Sequence, residues 1–247
     1  HPEWIHGGAG GGLLKLSEPA CLEWLLEHMD RLITEQQIDF YRQDFNIDPL
    51  PYWQASDAAE APDGSRQGIT EIRHVEGYFH YWDELQRRHP GMPIDSCASG
   101  GRRNDLETMR RAVPLLRSDW YAGAAGQQCH TYGLSLWLPF NGTGVISQKD
   151  AYWMRSSMVA EFTFGPDAAG VDVIDFDQMR ARVEEWRRLS PYFFGDFYPL
   201  TPYTLSETQW MAWQYDRPGT GDGALQVFRR EQSFYESARF TLRGLDA

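Results

Sequence analysis

Apolar residues recur at helical spacing in two long segments of the chain. Ser17-Glu18-Pro19 combines a cap-type residue, an acid and a proline, which is typical of a helix start, and the apolar residues from Leu22 to Ile33 then fall on one stripe. Apolar side chains from Ile69 to Leu85 repeat this spacing, and His89-Pro90-Gly91 is a stop signal. We therefore predict an amphipathic helix in each segment.

Shorter apolar runs between polar segments predict β-strands. They lie at residues 38–45, 92–97, 115–119 and 134–138, with a fifth strand near residue 162. Three more helices are predicted at residues 104–111, 151–162 and 177–189. Residues 48–68, with their Pro, Asp and Ala, predict a long loop, and long loops in compact domains are often functional.

The order of these elements predicts the fold class. Strands that alternate with helices favour a parallel sheet and therefore an α/β protein. Several of the strands end in carboxylates, and an α/β barrel builds its active site at such strand ends. A closed barrel needs about eight strands, whereas five are counted. Either the hydrophobic pattern fails to show some of the strands, or the first strands of the barrel lie outside this chain.

The character of the sequence changes near residue 195. Short strand-like runs at residues 210–215, 223–228 and 237–242 are separated by turn residues, which indicates an antiparallel sheet. We predict that residues 1–195 are the C-terminal portion of a (β/α)8 TIM barrel and that residues 196–247 begin a second domain. Because the chain opens with His1 and stops abruptly at Ala247, we expect a fragment of a longer protein.

The amino-acid composition argues against several classes of binding partner. The net charge of −12 argues against nucleic acid and anionic membranes, and no apolar run approaches the ~18–20 residues of a membrane span. Three scattered cysteines are too few for a disulfide framework or a structural zinc site, and the histidines offer no metal-ligand spacing. Aromatic residues make up 14% of the chain, which weakly favours a sugar ligand. Cytoplasmic and secreted locations are both left open.

The first candidate catalytic carboxylate is Asp44. Residues i and i+2 of a strand point to the same side, so Arg42 and Asp44 are expected to lie together, with Asn46 beyond them. A guanidinium beside a carboxylate keeps it ionised, which suits a nucleophile, although a structural ion pair is the alternative. A calcium loop starting at Asp44 is rejected because Pro49 and Ala55 stand where glycine and glutamate are needed.

A second candidate carboxylate, Asp119, lies between Ser118 and Trp120. The neighbouring indole is expected to exclude water from the carboxyl group, and a carboxyl group that is protonated before bond cleavage can donate to a leaving oxygen. A solvated loop aspartate is the alternative. Between the two aspartates, Gly100 and Gly101 would let the backbone approach a ligand closely, although they are also ordinary turn residues.

Three motifs, taken in order, resemble those of a known enzyme family. They read Arg42-Gln43-Asp44-Phe45-Asn46, Cys97-Ala98-Ser99-Gly100-Gly101-Arg102-Arg103-Asn104-Asp105 and Ser118-Asp119. They resemble the Lys-x-Asp-x-Asn, Cys-x-x-Gly-Gly-Gly-Arg-x-Asp and Ser-Asp motifs of melibiases, the α-galactosidases of glycoside hydrolase families 27 and 36. The chain is more similar to family 36, in which these motifs end the fourth, fifth and sixth barrel strands. The resemblance covers essentially the whole chain.

The resemblance implies a role for the motif residues. Asp44 would be the nucleophile and Asp119 the general acid/base of a retaining, double-displacement glycosidase that needs no metal and no cofactor. The substrate-binding residues would be Arg42, Asn46, Cys97, Gly100, Gly101, Arg103 and Trp120. The C-terminal strands resemble the start of the family's β-sandwich, which would follow the catalytic barrel.

Two departures from the family motifs bear on specificity. Arg42 stands where the family has lysine, and Arg102 replaces the third glycine, so the sugar is left open. No match is found for an acidic pair on the family's first barrel strands. We predict hydrolysis of terminal α-linked galactosides. The alternatives are glycosides of N-acetylgalactosamine or L-arabinopyranose, and a carbohydrate-binding barrel without turnover.

The expected partner is a small-molecule or oligosaccharide substrate, without nucleic acid or membrane. Homo-oligomerisation of the full-length protein is left open.

Overall fold

A computed structural model of the chain describes residues 1–7, 12–120, 123–146, 150–165, 172 and 174–245. The chain forms two compact units, an N-terminal unit (His1–Val113) and a C-terminal unit (Pro114–Ala247). Among the described residues, no helix combines the length and the apolar character needed to cross a bilayer. The boundary expected near residue 195 stays a prediction.

The N-terminal unit contains a parallel pair of strands covered by helices. Its elements are β1 (Ile5–His6), β2 (Leu13–Leu14), α1 (Pro19–Gln36), β3 (Tyr41–Asp44), α2 (Leu50–Glu60), α3 (Ile69–Arg88), β4 (Ile94–Cys97) and α4 (Leu106–Met109). Strands β3 and β4 are parallel, as the alternation of strands and helices predicted. The apolar stripes of α1 and α3 meet in one core, where Ile33, Trp82 and Leu85 pack with Ile94. Both helices predicted from periodicity are confirmed.

The loop expected over residues 48–68 is wrong for its first half, because helix α2 occupies Leu50–Glu60. Pro51 in the first turn is a helix-start signal that the prediction did not use. Helix α2 also forms hydrogen bonds with residues outside it. The buried Asp57 carboxylate accepts hydrogen bonds from the backbone N–H of Gly68 (2.6 Å) and of Thr70 (2.9 Å) at the start of α3. A contact between residues this far apart in the sequence produces no periodic pattern of apolar residues that a prediction could use.

The C-terminal unit combines a parallel pair with an antiparallel sheet. Its elements are α5 (Ala124–Ser135), β5 (Gly142–Ile146), α6 (Ala151–Ser156), β6 (Glu161–Gly165), α7 (Phe176–Leu189), β7 (Asp196–Pro199), β8 (Met211–Arg217) and β9 (Asp222–Phe228). Strands β5 and β6 are parallel, and β7, β8 and β9 form the antiparallel sheet expected at this end of the chain. Buried Met154, Phe193, Trp213 and Tyr215 join helices and sheet in one core.

Two predicted strands of this unit are wrong. Residues 115–119 are irregular: Pro114 has no N–H to pair, and Arg117 turns a charged side chain inward instead of an apolar one. Residues 134–138 include the end of α5, and Leu136 and Trp137 are 59% and 42% exposed. The apolar residues of this run are therefore not all buried. The hydrophobic periodicity of such a short run does not distinguish a strand from the end of a helix.

Three further boundaries differ from the sequence prediction. The helix expected over residues 151–162 ends at Ser156, and β6 follows it. The run at residues 237–242 forms no strand. Strand β5 was missed, because its Gly-Thr-Gly start lacks the apolar pattern of a strand. Among the described residues, the strands form separate small sheets, and no closed barrel is present.

Candidate active site

Strand β3 presents Arg42 and Asp44 on its exposed face. Its inward face is fixed by hydrogen bonds: the Trp82 indole N–H donates to Gln43 Oε1 (2.7 Å), and the hydroxyl groups of Tyr41 and Tyr81 lie 3.0 Å apart. Because side chains alternate along a strand, this inner pairing directs Arg42 and Asp44 outward. The expectation that these two residues share a face is confirmed.

The Arg42 guanidinium bridges two carboxylates. Its Nη1 forms an ion pair with Asp95 Oδ2, and its Nη2 lies 3.6 Å from Asp44 Oδ2. Only 3% of the Asp95 side chain is exposed, against 37% of Arg42 and 39% of Asp44. Burial lowers the pKa of Arg42, but the hydrogen bond and charge of Asp95 outweigh it and raise that pKa above its ordinary value. Sequence reasoning missed Asp95 as a partner of this group.

The register of the two strands places Cys97 beside Asp44. Asp44 and Cys97 are direct partners, and the thiol is buried. Burial raises the pKa of the Cys97 thiol, the Gly100 N–H opposes this, and the Asp44 carboxylate adds to it. A protonated thiol at this position fits a packing and hydrogen-bonding role better than a nucleophilic one.

The turn after β4 is tied to the segment after β3 by Asn46. Its Oδ1 accepts hydrogen bonds from the backbone N–H (2.9 Å) and the hydroxyl (3.2 Å) of Ser99. Ser99 and Gly100 have left-handed backbone angles, with φ of 48° and 74°, and Gly101 forms a bridge with Ala98 that closes the turn. The amide oxygen of Asn46 is therefore engaged in holding the turn.

Asp44 and Asn46 line an open cleft in the N-terminal unit. Its other walls are mainly apolar and include Leu14 and Leu25. Arg103 is not among the residues that line this cleft, but its guanidinium carbon lies 3.9 Å from the centre of the ring of Phe45, which is one of them. Of the predicted residues in this unit, Arg42, Asp44 and Cys97 come together, Asn46, Gly100 and Gly101 form the adjoining turn, and Arg103 lines a neighbouring cavity.

Asp119 and Trp120 belong to the C-terminal unit, and both are exposed. The Trp120 backbone N–H donates to Ser118 Oγ (3.1 Å), and its ring lies edge-on to His130 at 5.4 Å. The exclusion of water from Asp119 that we expected from the indole is therefore not seen.

A buried arginine anchors the segment that carries Asp119. Arg117 donates to Thr131 Oγ1 (3.0 Å), to Asn141 Oδ1 (3.1 Å) and to both the backbone oxygen and Oε1 of Gln127 (3.1 Å). Burial lowers the pKa of Arg117 to about 9, so it still carries a positive charge at neutral pH. Burial and this charge together lower the pKa of His130 to about 4. Sequence reasoning missed Arg117, whose only signal was a charged residue inside an apolar run.

The described part of the chain contains no group of three or more His, Cys, Asp or Glu side chains that could hold a metal ion. The chemistry available in the N-terminal unit is that of a carboxylate beside a cation, at the carboxyl end of a parallel strand and open to a cleft. Ligand sites of α/β proteins lie at such strand ends.

Comparison with protein families identifies relatives across the whole chain. The family model for melibiase matches residues 7–147, more than half of the 247 residues. Alpha-galactosidase C of Emericella nidulans is 23% identical over 266 residues, covering 100% of this chain and 33% of that protein. Alpha-galactosidase AgaA of Geobacillus stearothermophilus is 24% identical over 240 residues, covering 88% of this chain and 32% of AgaA.

Solved structures show the same fold over the full chain. The α-galactosidase from Lactobacillus brevis has a TM-score of 0.76 at 19% identity and covers 100% of this chain and 35% of its own. A variant of AgaA from Geobacillus stearothermophilus in complex with stachyose has a TM-score of 0.78 at 19% identity. The chain spans about a third of the length of these relatives. With the family model matched over more than half of its residues, this chain belongs to the melibiase family.

Proposed function

We propose that the protein containing this chain is a retaining α-glycosidase that hydrolyses terminal α-linked galactosides. Family membership and the α-galactosidase relatives support the reaction class. AgaA variants in complex with raffinose and stachyose support an α-galactoside as substrate. The observation that carries the proposal is Asp44, at the carboxyl end of β3, open to a cleft and next to the Arg42–Asp95 pair.

The proposal includes the finer fold. Strands β3 to β6 would be part of a (β/α)8 barrel that is completed by further strands, and β7 to β9 would begin a β-sandwich after residue 195. The parallel pairing of β3 with β4 and of β5 with β6 supports the barrel. The antiparallel order β7-β8-β9 supports the second domain. In such a barrel the ends of β3 and β4 face the same side as the active site.

The reaction proceeds in two displacements. A carboxylate oxygen of Asp44 attacks the anomeric carbon, the glycosidic C–O bond breaks, and the carboxyl group of Asp119 gives its proton to the leaving oxygen. A covalent glycosyl-enzyme results. Asp119, now a carboxylate, takes a proton from water, the water oxygen bonds to the anomeric carbon, and the bond to Asp44 breaks. The sugar leaves with its original configuration. This route requires the two carboxyl groups to lie about 5–5.5 Å apart.

Arg42 would act on both the nucleophile and the sugar. It supplies a positive charge next to the Asp44 carboxylate, while Asp95 holds the other end of the guanidinium. The fork of an arginine has five donors, so hydrogen atoms remain for a sugar hydroxyl group. A planar guanidinium group donates hydrogen bonds in other directions than the ammonium group of a lysine does. In this proposal Arg42 therefore helps to determine which sugar hydroxyl groups are recognised.

The decisive experiment replaces the nucleophile in the whole protein. Asp44→Asn is expected to abolish the hydrolysis of aryl α-galactosides, because no covalent intermediate can form. Asp44→Ala should regain turnover with azide as an external nucleophile, yielding a galactosyl azide of inverted configuration. The matched control is Asp48→Asn, an exposed aspartate four positions along the chain, which should keep full activity. Near-normal hydrolysis by Asp44→Asn would refute the assignment.

A further inference from the structure

The turn that follows β4 has an unusual backbone conformation. Ser99 and Gly100 both have left-handed backbone angles, with φ of 48° and 74°. Among the described residues, the only other non-glycine residue with a positive φ is Gln37, which lies directly after helix α1. A left-handed serine is disfavoured because its Cβ crowds the backbone, so surrounding contacts must hold it in place.

Two of these contacts come from the segment after β3. Asn46 Oδ1 accepts hydrogen bonds from both the backbone N–H (2.9 Å) and the hydroxyl group (3.2 Å) of Ser99. Because a backbone N–H can only donate, the carboxamide of Asn46 must present its oxygen to Ser99. Within the turn, the Ala98 N–H donates to the Gly100 carbonyl oxygen (3.1 Å). The conformation of Ser99 therefore depends on a side chain that is 53 positions away in the sequence.

The turn lies next to the proposed nucleophile. It begins after Cys97, which is the partner of Asp44 in the parallel pair of strands. The backbone N–H of Phe45 donates to the Cys97 carbonyl oxygen (3.0 Å), so the pairing continues up to the start of the turn. Asn46 lines the same cleft as Asp44. A shift of the turn would therefore move groups beside the carboxylate that attacks the sugar.

We propose that Asn46 is a positioning residue for the proposed hydrolysis and that it acts through Ser99. Its two hydrogen bonds offset the free-energy cost of the left-handed serine, so the turn keeps one conformation beside Asp44. This inference rests on the proposed function, and it assigns to Asn46 a role other than the direct sugar contact that the family resemblance implies. Direct contact is the competing role, because the bonds to Ser99 leave the amide nitrogen of Asn46 unused.

A glycine substitution at Ser99 separates the two roles. Glycine has no Cβ and adopts left-handed angles readily, so the turn of the Ser99→Gly variant no longer depends on Asn46. If Asn46 acts through the turn, the loss caused by Asn46→Ala should largely disappear in the Ser99→Gly background. If Asn46 instead binds the sugar directly, the loss should be the same in both backgrounds.

The experiment is a double-mutant cycle in the whole protein, with kcat/KM for an aryl α-galactoside and the Kd of galactose as its measurements. Asn46→Ala is expected to lower kcat/KM about tenfold, mainly through KM, and to weaken galactose binding by a similar factor. Ser99→Gly should stay within about threefold of the unmodified protein, and the double variant should stay within about threefold of Ser99→Gly. An equal loss for Asn46→Ala in both backgrounds would overturn the proposal.

The chain offers a matched control in an exposed loop. Asp63 Oδ1 accepts the same two kinds of hydrogen bond, from the backbone N–H (3.0 Å) and the hydroxyl group (2.7 Å) of Ser65. Asp63→Ala should therefore keep kcat/KM and galactose affinity unchanged. A loss as large as that of Asn46→Ala would show a general effect of loosening a loop and would count against the proposal.

Crystal structures of the unmodified protein and of Asn46→Ala test the conformational step without any measurement of activity. The φ angle of Ser99 should be positive in the first and should leave the left-handed region in the second. An unchanged left-handed Ser99 in Asn46→Ala would overturn the proposal. Binding of galactose without hydrolysis of the aryl α-galactoside would instead refute the proposed function, and the galactose affinities of the variants would still decide how Asn46 acts.

Discussion

Asp44 ends a strand whose four residues are all in register with β4, whereas Asp119 lies in an irregular segment of the C-terminal unit. The backbone ladder fixes the main chain of Asp44, and the guanidinium of Arg42, which Asp95 holds, lies 3.6 Å from its carboxylate. The second is held two residues away, through the buried side chain of Arg117. Both residues are an aspartate after an apolar run in the sequence, yet unrelated contacts support them in the structure.

In the proposed reaction this difference has a chemical meaning. A nucleophile attacks one carbon along one line, so a rigid support is an advantage. A general acid/base must reach first a leaving oxygen and then a water molecule. An exposed position on an irregular segment is compatible with that second task.

The largest effect is expected for Asp119→Ala, which separates acid catalysis from nucleophilic attack. In the whole protein, kcat/KM for substrates with poor leaving groups should fall about 10²–10⁴-fold. Activated aryl galactosides should lose far less, because their leaving groups need no proton. Asp177→Ala, an exposed aspartate on α7, is the control. If good and poor leaving groups lose equally, Asp119 is not the general acid.

The next effect concerns the anchor of the Asp119 segment. Arg117→Met retains most of the side-chain volume but leaves Gln127, Thr131 and Asn141 without their donor. The free energy of unfolding should fall by about 3 kcal/mol in urea titrations at pH 7. Arg180→Met, at an exposed arginine of α7, should change it by less than about 0.5 kcal/mol. Indistinguishable midpoints for the two variants would remove Arg117 as an anchor.

A smaller effect is expected at the support of Asp44. Asp95→Asn removes the buried charge that holds Arg42, so the guanidinium is free to turn towards Asp44 and weaken its attack. We expect kcat to fall about a hundredfold with KM nearly unchanged. Asp83→Asn breaks a comparable but exposed pair with Arg111 and serves as control. A change in KM alone would instead assign Asp95 to substrate binding.

The smallest effect is a pH dependence of stability. His74 has a pKa of about 4 when folded and near 6.5 when unfolded, so the unfolded state binds more protons between these values. His74 should therefore make the free energy of unfolding fall by about 2 kcal/mol between pH 7 and pH 5, and His130 should contribute a similar amount. His74→Phe should remove the His74 share and so reduce the pH dependence by about 2 kcal/mol. His80→Phe, on the exposed side of the same helix, should leave it intact, and a parallel loss in both variants would contradict the assignment.

Local sequence patterns determined the parts of this protein that depend on neighbours in the chain. The stripes of α1 and α3 predicted both helices, because a period of 3.6 residues reports one buried face. The alternation of strands with helices predicted parallel pairing of β3 with β4, and the i, i+2 spacing placed Arg42 and Asp44 on one face. The order of the three motifs sufficed to indicate the family, which the family model then confirmed.

Only the tertiary structure decided what depends on distant residues. Asp57 holds the start of α3, Asp95 holds Arg42 from the neighbouring strand, and Arg117 turns a predicted strand into an anchored loop. The hydrogen bonds from Ser99 to Asn46 likewise join parts of the chain that are far apart in sequence. The physical reason is that hydrophobic periodicity shows which positions of an element face the core, but not which residues of other elements they contact. Hydrogen bonds and ion pairs between distant segments are set by the packing of whole elements.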